Sequence, residues 1–211
     1  MCRYDLILFD LDGTLLDTSK GIFNSVRYAE KQMKLKMIPD ERLKEFVGPP
    51  PKQMYMNIYG LDESLALLAA RYHREYGRTK AVYEAEPYPD MAGTLQQLKS
   101  DGYKLGVATL KSQEIAEEVL RLNGMLDSFA CVVGMDKDET LKKVDTIHKA
   151  QLYTNAKKTV LVGDSPYDYE GAVAAGIDFI GVLYGFGFNG SKIYPFTTIK
   201  RPNELLRLLI K

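Results

Sequence analysis

Two aspartates two positions apart, Asp10 and Asp12, follow on the apolar run Leu6-Ile7-Leu8-Phe9 and precede Gly13 and Thr14. An apolar run ending in acids and a glycine is the pattern of a strand that delivers carboxylates to the rim of a parallel sheet. Side chains two apart share one face of an extended strand, and Gly13 lets the chain turn away and leave both acids accessible. Comparable positions recur downstream: Thr109 follows Val107-Ala108, and Gly163-Asp164 with Asp168 follows Val160-Leu161-Val162. In an open parallel sheet the active site lies beyond the carboxyl ends of the strands, so these acids and this hydroxyl are expected at one rim.

The elements that must position them alternate. The spacing predicts strands over 104–108, 129–133, 159–162 and 179–183, with helices over 91–100, 112–122 and 141–152 and another from Pro166. That order predicts an α/β fold with a Rossmann-like parallel sheet core. About ninety residues separate the first strand from the second, where a bare strand-helix-strand unit needs about thirty. The surplus carries apolar residues at helical spacing: Ile22, Val26, Ala29 and Met33, then Leu61, Leu65, Leu68, Tyr72 and Tyr76, closed at Gly77. Between them Pro39-Asp40-Glu41 opens a short helix ending near Gly48, and Pro49-Pro50-Pro51 makes a stiff bend. We expect residues 1–16 and 85–211 to form the core and 17–84 an inserted helical-bundle cap domain, hinged near 17–19 and 83–87. Pro202-Asn203-Glu204 and the leucines after it read as a capped packing helix.

Lysine plus arginine equals aspartate plus glutamate at 28 each, so no overall field draws the chain to nucleic acid or an anionic membrane. Cys2 and Cys131 lack metal-site spacing and suit a reducing compartment as inert small side chains. No apolar stretch approaches membrane-spanning length or makes a signal-peptide core, and a cytoplasmic location is expected.

Phe9-Asp10-Leu11-Asp12-Gly13-Thr14 resembles the first motif of the haloacid dehalogenase-like superfamily, D-x-D-G-T/V after hydrophobic residues. Thr109 matches its second motif, a lysine at a later helix start its third, and Gly163-Asp164 with Asp168 its fourth, G-D-x-x-x-D. Lys142 and Lys143 are both candidates for the third. Lys143 is preferred because Lys143-Val144-Asp145-Thr146-Ile147 resembles the family's K-x-x-x-I opening. The resemblance runs from Asp10 to Gly187 and points to the capped, phosphoglycolate phosphatase-like group, given the insertion and the Gly48-to-Lys52 loop. Thr109-Leu110-Lys111 departs from the usual threonine-asparagine-lysine of the second motif.

The resemblance implies Mg²⁺ held by Asp10, the backbone carbonyl of Asp12 and Asp164, with Asp168 beside them. An all-oxygen set suits that ion, and without a cation the gathered carboxylates would raise one another's pKa values. It also implies Asp10 as nucleophile, Asp12 as general acid and base, and Thr109 and Lys143 on the phosphate of a small phosphorylated metabolite. The second aspartate favours phosphoester chemistry, since dehalogenating relatives lack it. Lys111 and Lys52 are candidate substrate contacts. A phosphomutase of the β-phosphoglucomutase type and a non-catalytic binding protein are the alternatives, and monomer and homodimer both stay open. Ser165-Pro166-Tyr167-Asp168 also has the form of a helix start, so Asp168 is a candidate cap. His73 and His148 read as surface or edge residues, Asp136 to Glu139 as a solvated loop, and Tyr184 to Phe188 as a turn that could border the site.

Overall fold

The computed structural model describes residues 3–136, 140–188 and 190–209. The chain opens with β1 (Leu6–Phe9) and a two-residue strand β2 (Leu16–Asp17), then enters the helical insertion: α1 (Ser19–Met33), a 3₁₀ segment (Asp40–Phe46), α2 (Pro51–Tyr59) and α3 (Glu63–Thr79). It returns through β3 (Glu86–Pro87) and continues as α4 (Met91–Ser100), β4 (Lys104–Ser112), α5 (Gln113–Leu122), β5 (Cys131–Met135), α6 (Lys143–Thr154) and β6 (Thr159–Gly163). It closes with α7 (Pro166–Ala175), β7 (Asp178–Val182), β8 (Thr197–Ile199) and α8 (Glu204–Leu209).

Six strands form one parallel sheet in the order β5-β4-β1-β6-β7-β8. The order reverses at β1, which pairs with both β4 and β6, so Asp10 emerges at the switch point where such folds bind ligands. All four residues of β1 are buried, because helices cover both faces of the sheet. Alternate residues then serve different cores: Ile7 and Phe9 pack with Leu95 and Val119 on one face, Leu6 and Leu8 with Ile147 and Ala172 on the other.

The insertion has a core of its own, in which Val26, Phe46, Tyr55 and Ala70 pack together. A buried carboxylate ties it down. Glu30 accepts hydrogen bonds from Tyr59 Oη (2.7 Å), the Ile38 amide (2.8 Å) and Arg27 Nη1 (2.7 Å), which satisfies a charge that would be costly alone. The two crossings between cap and core lie side by side: Leu16 pairs antiparallel with Pro87 and Asp17 with Glu86. The expected hinge at 83–87 thus contains a strand. Among the described residues no helix is long and apolar enough to cross a membrane.

Several expected boundaries move. The prolines do not only bend the chain: Pro51 takes the first position of α2, where a missing amide costs nothing. α3 does not stop at Gly77 but runs through it to Thr79. A β-carbon there would sit 3.2 Å from Ile115 Cδ1, so the glycine serves close packing of cap on core. β4 extends four residues past Ala108 through a register shift, β5 lies two residues later than expected, and β8 was not anticipated. Ser112 stands at the N-cap of α5, yet its side chain makes no capping bond. Residues 137–139 of the expected solvated loop and Cys2 lie outside the described residues. Cys131 is half-buried on β5.

Candidate active site

β1 ends by bonding the Asp10 amide to the Val162 carbonyl at 2.9 Å, which sets Asp10 beside the end of β6. Gly13 then turns the chain at φ +78°, and a β-carbon there would lie 2.4 Å from Asp164 Oδ2. Only glycine fits a left-handed turn pressed against a carboxylate.

Carboxylate oxygens of Asp10, Asp164 and Asp168 lie within 4.8 Å of one another, all three residues buried. One ammonium faces them: Lys143 Nζ is 2.6 Å from Asp10 Oδ1 and 2.6 Å from Asp168 Oδ1. Lys143 is the first residue of α6 and only 5% exposed, and it is the lysine brought to these acids, whereas Lys142 is exposed. Asp168 divides its oxygens between two tasks. Its Oδ2 accepts from the Ser165 amide (3.0 Å) and Ser165 Oγ (2.7 Å), closing the cap of α7, while Oδ1 faces Lys143. Asp164 Oδ2 accepts from the amides of Phe186 (2.7 Å) and Gly187 (3.3 Å), so the turn after β7 does border the site.

The electrostatics are short of positive charge. Burial pushes the Asp10 carboxyl up to about 7; Lys143 opposes the shift, while Asp168 and Asp12 add to it. Burial, then Asp168 and Asp10, push Asp164 well above the carboxylate range against the two amides. Burial works against the Lys143 ammonium, but Asp10 and Asp168 outweigh it and hold its pKa above the ordinary value. Three crowded carboxylates with one lysine fit a divalent cation, and the all-oxygen donor set suits Mg²⁺.

Asp12 is held apart from this cluster. Its Oδ1 accepts from Thr18 Oγ1 (2.6 Å) and from Lys111 Nζ (2.9 Å), whose distance to Oδ2 is 3.2 Å. Thr18 went unnoticed in the sequence; its only signal is a hydroxyl at the expected hinge. Thr109 is buried within β4, not after it, and its Oγ1 accepts from the Lys111 amide at 3.2 Å.

Lys52 does not reach this site. Its Nζ pairs with Glu63 at 3.3 Å, because α2 turns it toward the start of α3. His148 is exposed as expected, whereas His73 is not at the surface: it is buried against Phe46 with Nδ1 3.4 Å from Tyr55 Oη. The signal was Phe46, Tyr55 and His73 on three cap elements, which periodicity within one helix does not relate. A cavity of about 520 Å³ opens between cap and core, with Asp12, Lys111, Phe46, Pro49 and His73 in its wall.

A parallel sheet with an aspartate pair at its switch point and a lysine bridging the first of them to Asp168 defines a phosphoryl-transfer type of site. The model of the haloacid dehalogenase-like hydrolases matches residues 7–182, and the chain belongs to that family. It is 35% identical over 188 residues to a 5'-nucleotidase of Pseudomonas aeruginosa, covering 88% of this chain and 85% of the relative. It is 29% identical over 207 residues to a phosphoglycolate phosphatase of Aquifex aeolicus, covering 97% and 96%. The crystal structure of a predicted phosphatase from Clostridium acetobutylicum superimposes with a TM-score of 0.90 at 33% identity, covering 97% of each chain. Within the family, this chain is a phosphatase, a phosphoric monoester hydrolase.

Proposed function

We infer that the chain is a Mg²⁺-dependent phosphatase of small phosphate monoesters, phosphoglycolate-like or nucleotide, acting through an aspartyl-phosphate on Asp10. The observation that carries this reading is the buried cluster of Asp10, Asp164 and Asp168 around Lys143. Asp10 and Asp164, with the carbonyl of Asp12, would hold the ion, and Asp168, itself fixed by Lys143 and Ser165, would stand beside it. Bound there, Mg²⁺ supplies Lewis-acid polarisation and neutralises charge on the phosphate oxygens.

An Asp10 carboxylate oxygen attacks phosphorus as the bond to the alcohol oxygen breaks. Lys143 and the Thr109 hydroxyl receive phosphate oxygens, which lets one anion approach another. Asp12, steadied by Thr18 and Lys111, gives a proton to the departing alcohol. Asp12 then takes a proton from the water that attacks phosphorus, phosphate leaves, and the Asp10 carboxylate is restored. The cap covers the alcohol and limits other water.

The test is phosphate release from phosphoglycolate, nucleoside monophosphates and sugar phosphates, with Mg²⁺ and with EDTA. Release that needs Mg²⁺ and falls by roughly 10³-fold or more in Asp10→Asn is expected. Equal activity of Asp10→Asn would refute the mechanism. A bisphosphate intermediate trapped during turnover would replace the phosphatase by a mutase.

A further inference from the structure

The turn after β7 carries an aromatic residue at every second position, Tyr184, Phe186 and Phe188, and the three rings go to three different places. Tyr184 packs on the sheet face that holds Leu95 and Val119, and its hydroxyl donates to the Thr14 carbonyl at 3.1 Å. Phe188 joins Phe179 and Phe196 on the opposite face, with ring centres 6.0 and 5.1 Å away. Phe186, between these two anchors, packs on the core of the cap. Among the described residues that pack there, it alone comes from outside the insertion.

The same residue reaches the acidic cluster. Its amide donates to Asp164 Oδ2 at 2.7 Å, and the Gly187 amide donates to that oxygen at 3.3 Å. Its ring lies against Gly13, where a β-carbon would sit 2.9 Å from Phe186 Cδ2. Gly185 passes between Asp164 and Gly13, and a β-carbon on it would come within 2.4 Å of Asp164 Cβ and of the Gly13 carbonyl oxygen. A phenylalanine between two glycines has little backbone stiffness of its own, because glycine has the widest conformational freedom. What aims the Phe186 amide is therefore the seat of its ring, with Gly13 on one side and the cap's core on another. Carboxylates that ligate an ion are oriented by the hydrogen bonds they accept, and disturbing those bonds weakens the ion's affinity.

We propose that Phe186 is a positioning residue that couples the docking of the cap to ion binding at Asp164. With the cap docked, the ring is clamped and two amides hold the Asp164 carboxylate ready for Mg²⁺. With the cap lifted, the ring loses one of its two supports and the turn loosens. The proposal rests on the Mg²⁺ site of the phosphatase reading and adds a link between that ion and the cap. Linkage makes the effect reciprocal, so Mg²⁺ in turn favours the docked cap before any substrate arrives. The coupling falls at the low end of such effects, about fivefold, because losing the ring's seat loosens the two amide bonds without deleting them.

The chain contains no tryptophan, so Phe186→Trp places a single indole at this contact. Titrated with Mg²⁺ and without substrate, its emission should shift to the blue as the cap settles on it, and should saturate where calorimetry shows the ion binding. In calorimetry Phe186→Ala should bind Mg²⁺ more weakly than the parent by about fivefold or more, and Phe186→Leu, which keeps an apolar side chain, should recover most of the difference. Leu205→Ala, at a buried position on α8, should lower the melting temperature yet leave Mg²⁺ affinity unchanged, which separates positioning from a general loss of stability. Equal Mg²⁺ affinity in Phe186→Ala and the parent overturns the coupling, and so does an indole emission that ignores bound Mg²⁺. A parent that binds no Mg²⁺ refutes the ion site and the coupling together. Absence of phosphate release from a parent that does bind Mg²⁺ refutes the phosphatase reading alone.

Discussion

Replacing Lys143 by methionine isolates what its charge does. Methionine nearly keeps the volume and stem of the buried lysine and deletes an ammonium lying 2.6 Å from both Asp10 and Asp168. Breaking a buried pair by removing one partner costs ~3–5 kcal/mol, because the remaining charge loses its compensation without regaining water. Here two carboxylates are left, with Asp164 close by, and the upper half of that range is expected. With a urea slope of about 2 kcal/mol per molar, the midpoint in EDTA falls by about 2–2.5 M. Mg²⁺ should return part of this: at a hundredfold excess over its dissociation constant, a site-bound ion adds ~2.7 kcal/mol. The variant should gain more from Mg²⁺ than the parent, because among the described residues Lys143 is the cation paired with Asp10 and Asp168. Lys142→Met, at an exposed neighbouring position, should stay within about 0.5 kcal/mol of the parent. A Lys143→Met midpoint within about 0.3 M of the parent in EDTA would refute the view that Lys143 is the counter-charge of the acidic cluster.

Two further outcomes follow from positions already described. Folding holds His73 at a pKa of about 3 against 6.5 for the free side chain. The unfolded chain therefore takes up a proton below pH 6.5 that the folded protein refuses, and stability is full above that pH and declines toward 3. The slope from this group is at most ~1.4 kcal/mol per pH unit, and the difference between parent and His73→Phe denaturation curves at pH 8, 6, 5 and 4 should reveal it. A constant difference over that range would contradict it. Gly13→Ala should cost at least ~1 kcal/mol for the left-handed turn and impair turnover, since its β-carbon would displace Asp164; thermal melts and phosphate release report both.

How much of this was legible depends on whether the determinant was local. Asp10, Asp12 and Asp164 stand at or just past the ends of short apolar runs, with Asp168 four residues on at a helix start, and each pattern is contained in a few residues. Ser165 and Pro166 marked the start of α7 for the same reason, and the capping bonds are there. What failed was what a distant segment decides. Gly77 looked like a helix stop, yet Ile115 of α5 makes it a packing position. His73 sits on a helix that reads as amphipathic, and its burial depends on Phe46 and Tyr55 from two other elements. Lys52 was attractive for following a proline loop, but the helix that starts at Pro51 directs it to Glu63. Thr109 was placed after a strand that in fact continues to Ser112, because nothing near it announces the register shift against β5.

The place of β1 in the sheet sets a timetable for synthesis. Its partners, β4 and β6, begin at residues 104 and 159, whereas all three cap helices lie before them. As the chain leaves the ribosome, the cap sequence is complete while β1 still has no neighbour on either edge. At ~5–20 residues per second the wait for β4 lasts about 5–20 s, during which four apolar residues destined for the centre of the sheet stay unpaired. Asp10 is thus made before both of the strands that fix its place. A nascent chain stalled before residue 104 is the species most open to chaperones and to aggregation, although it already contains the whole cap.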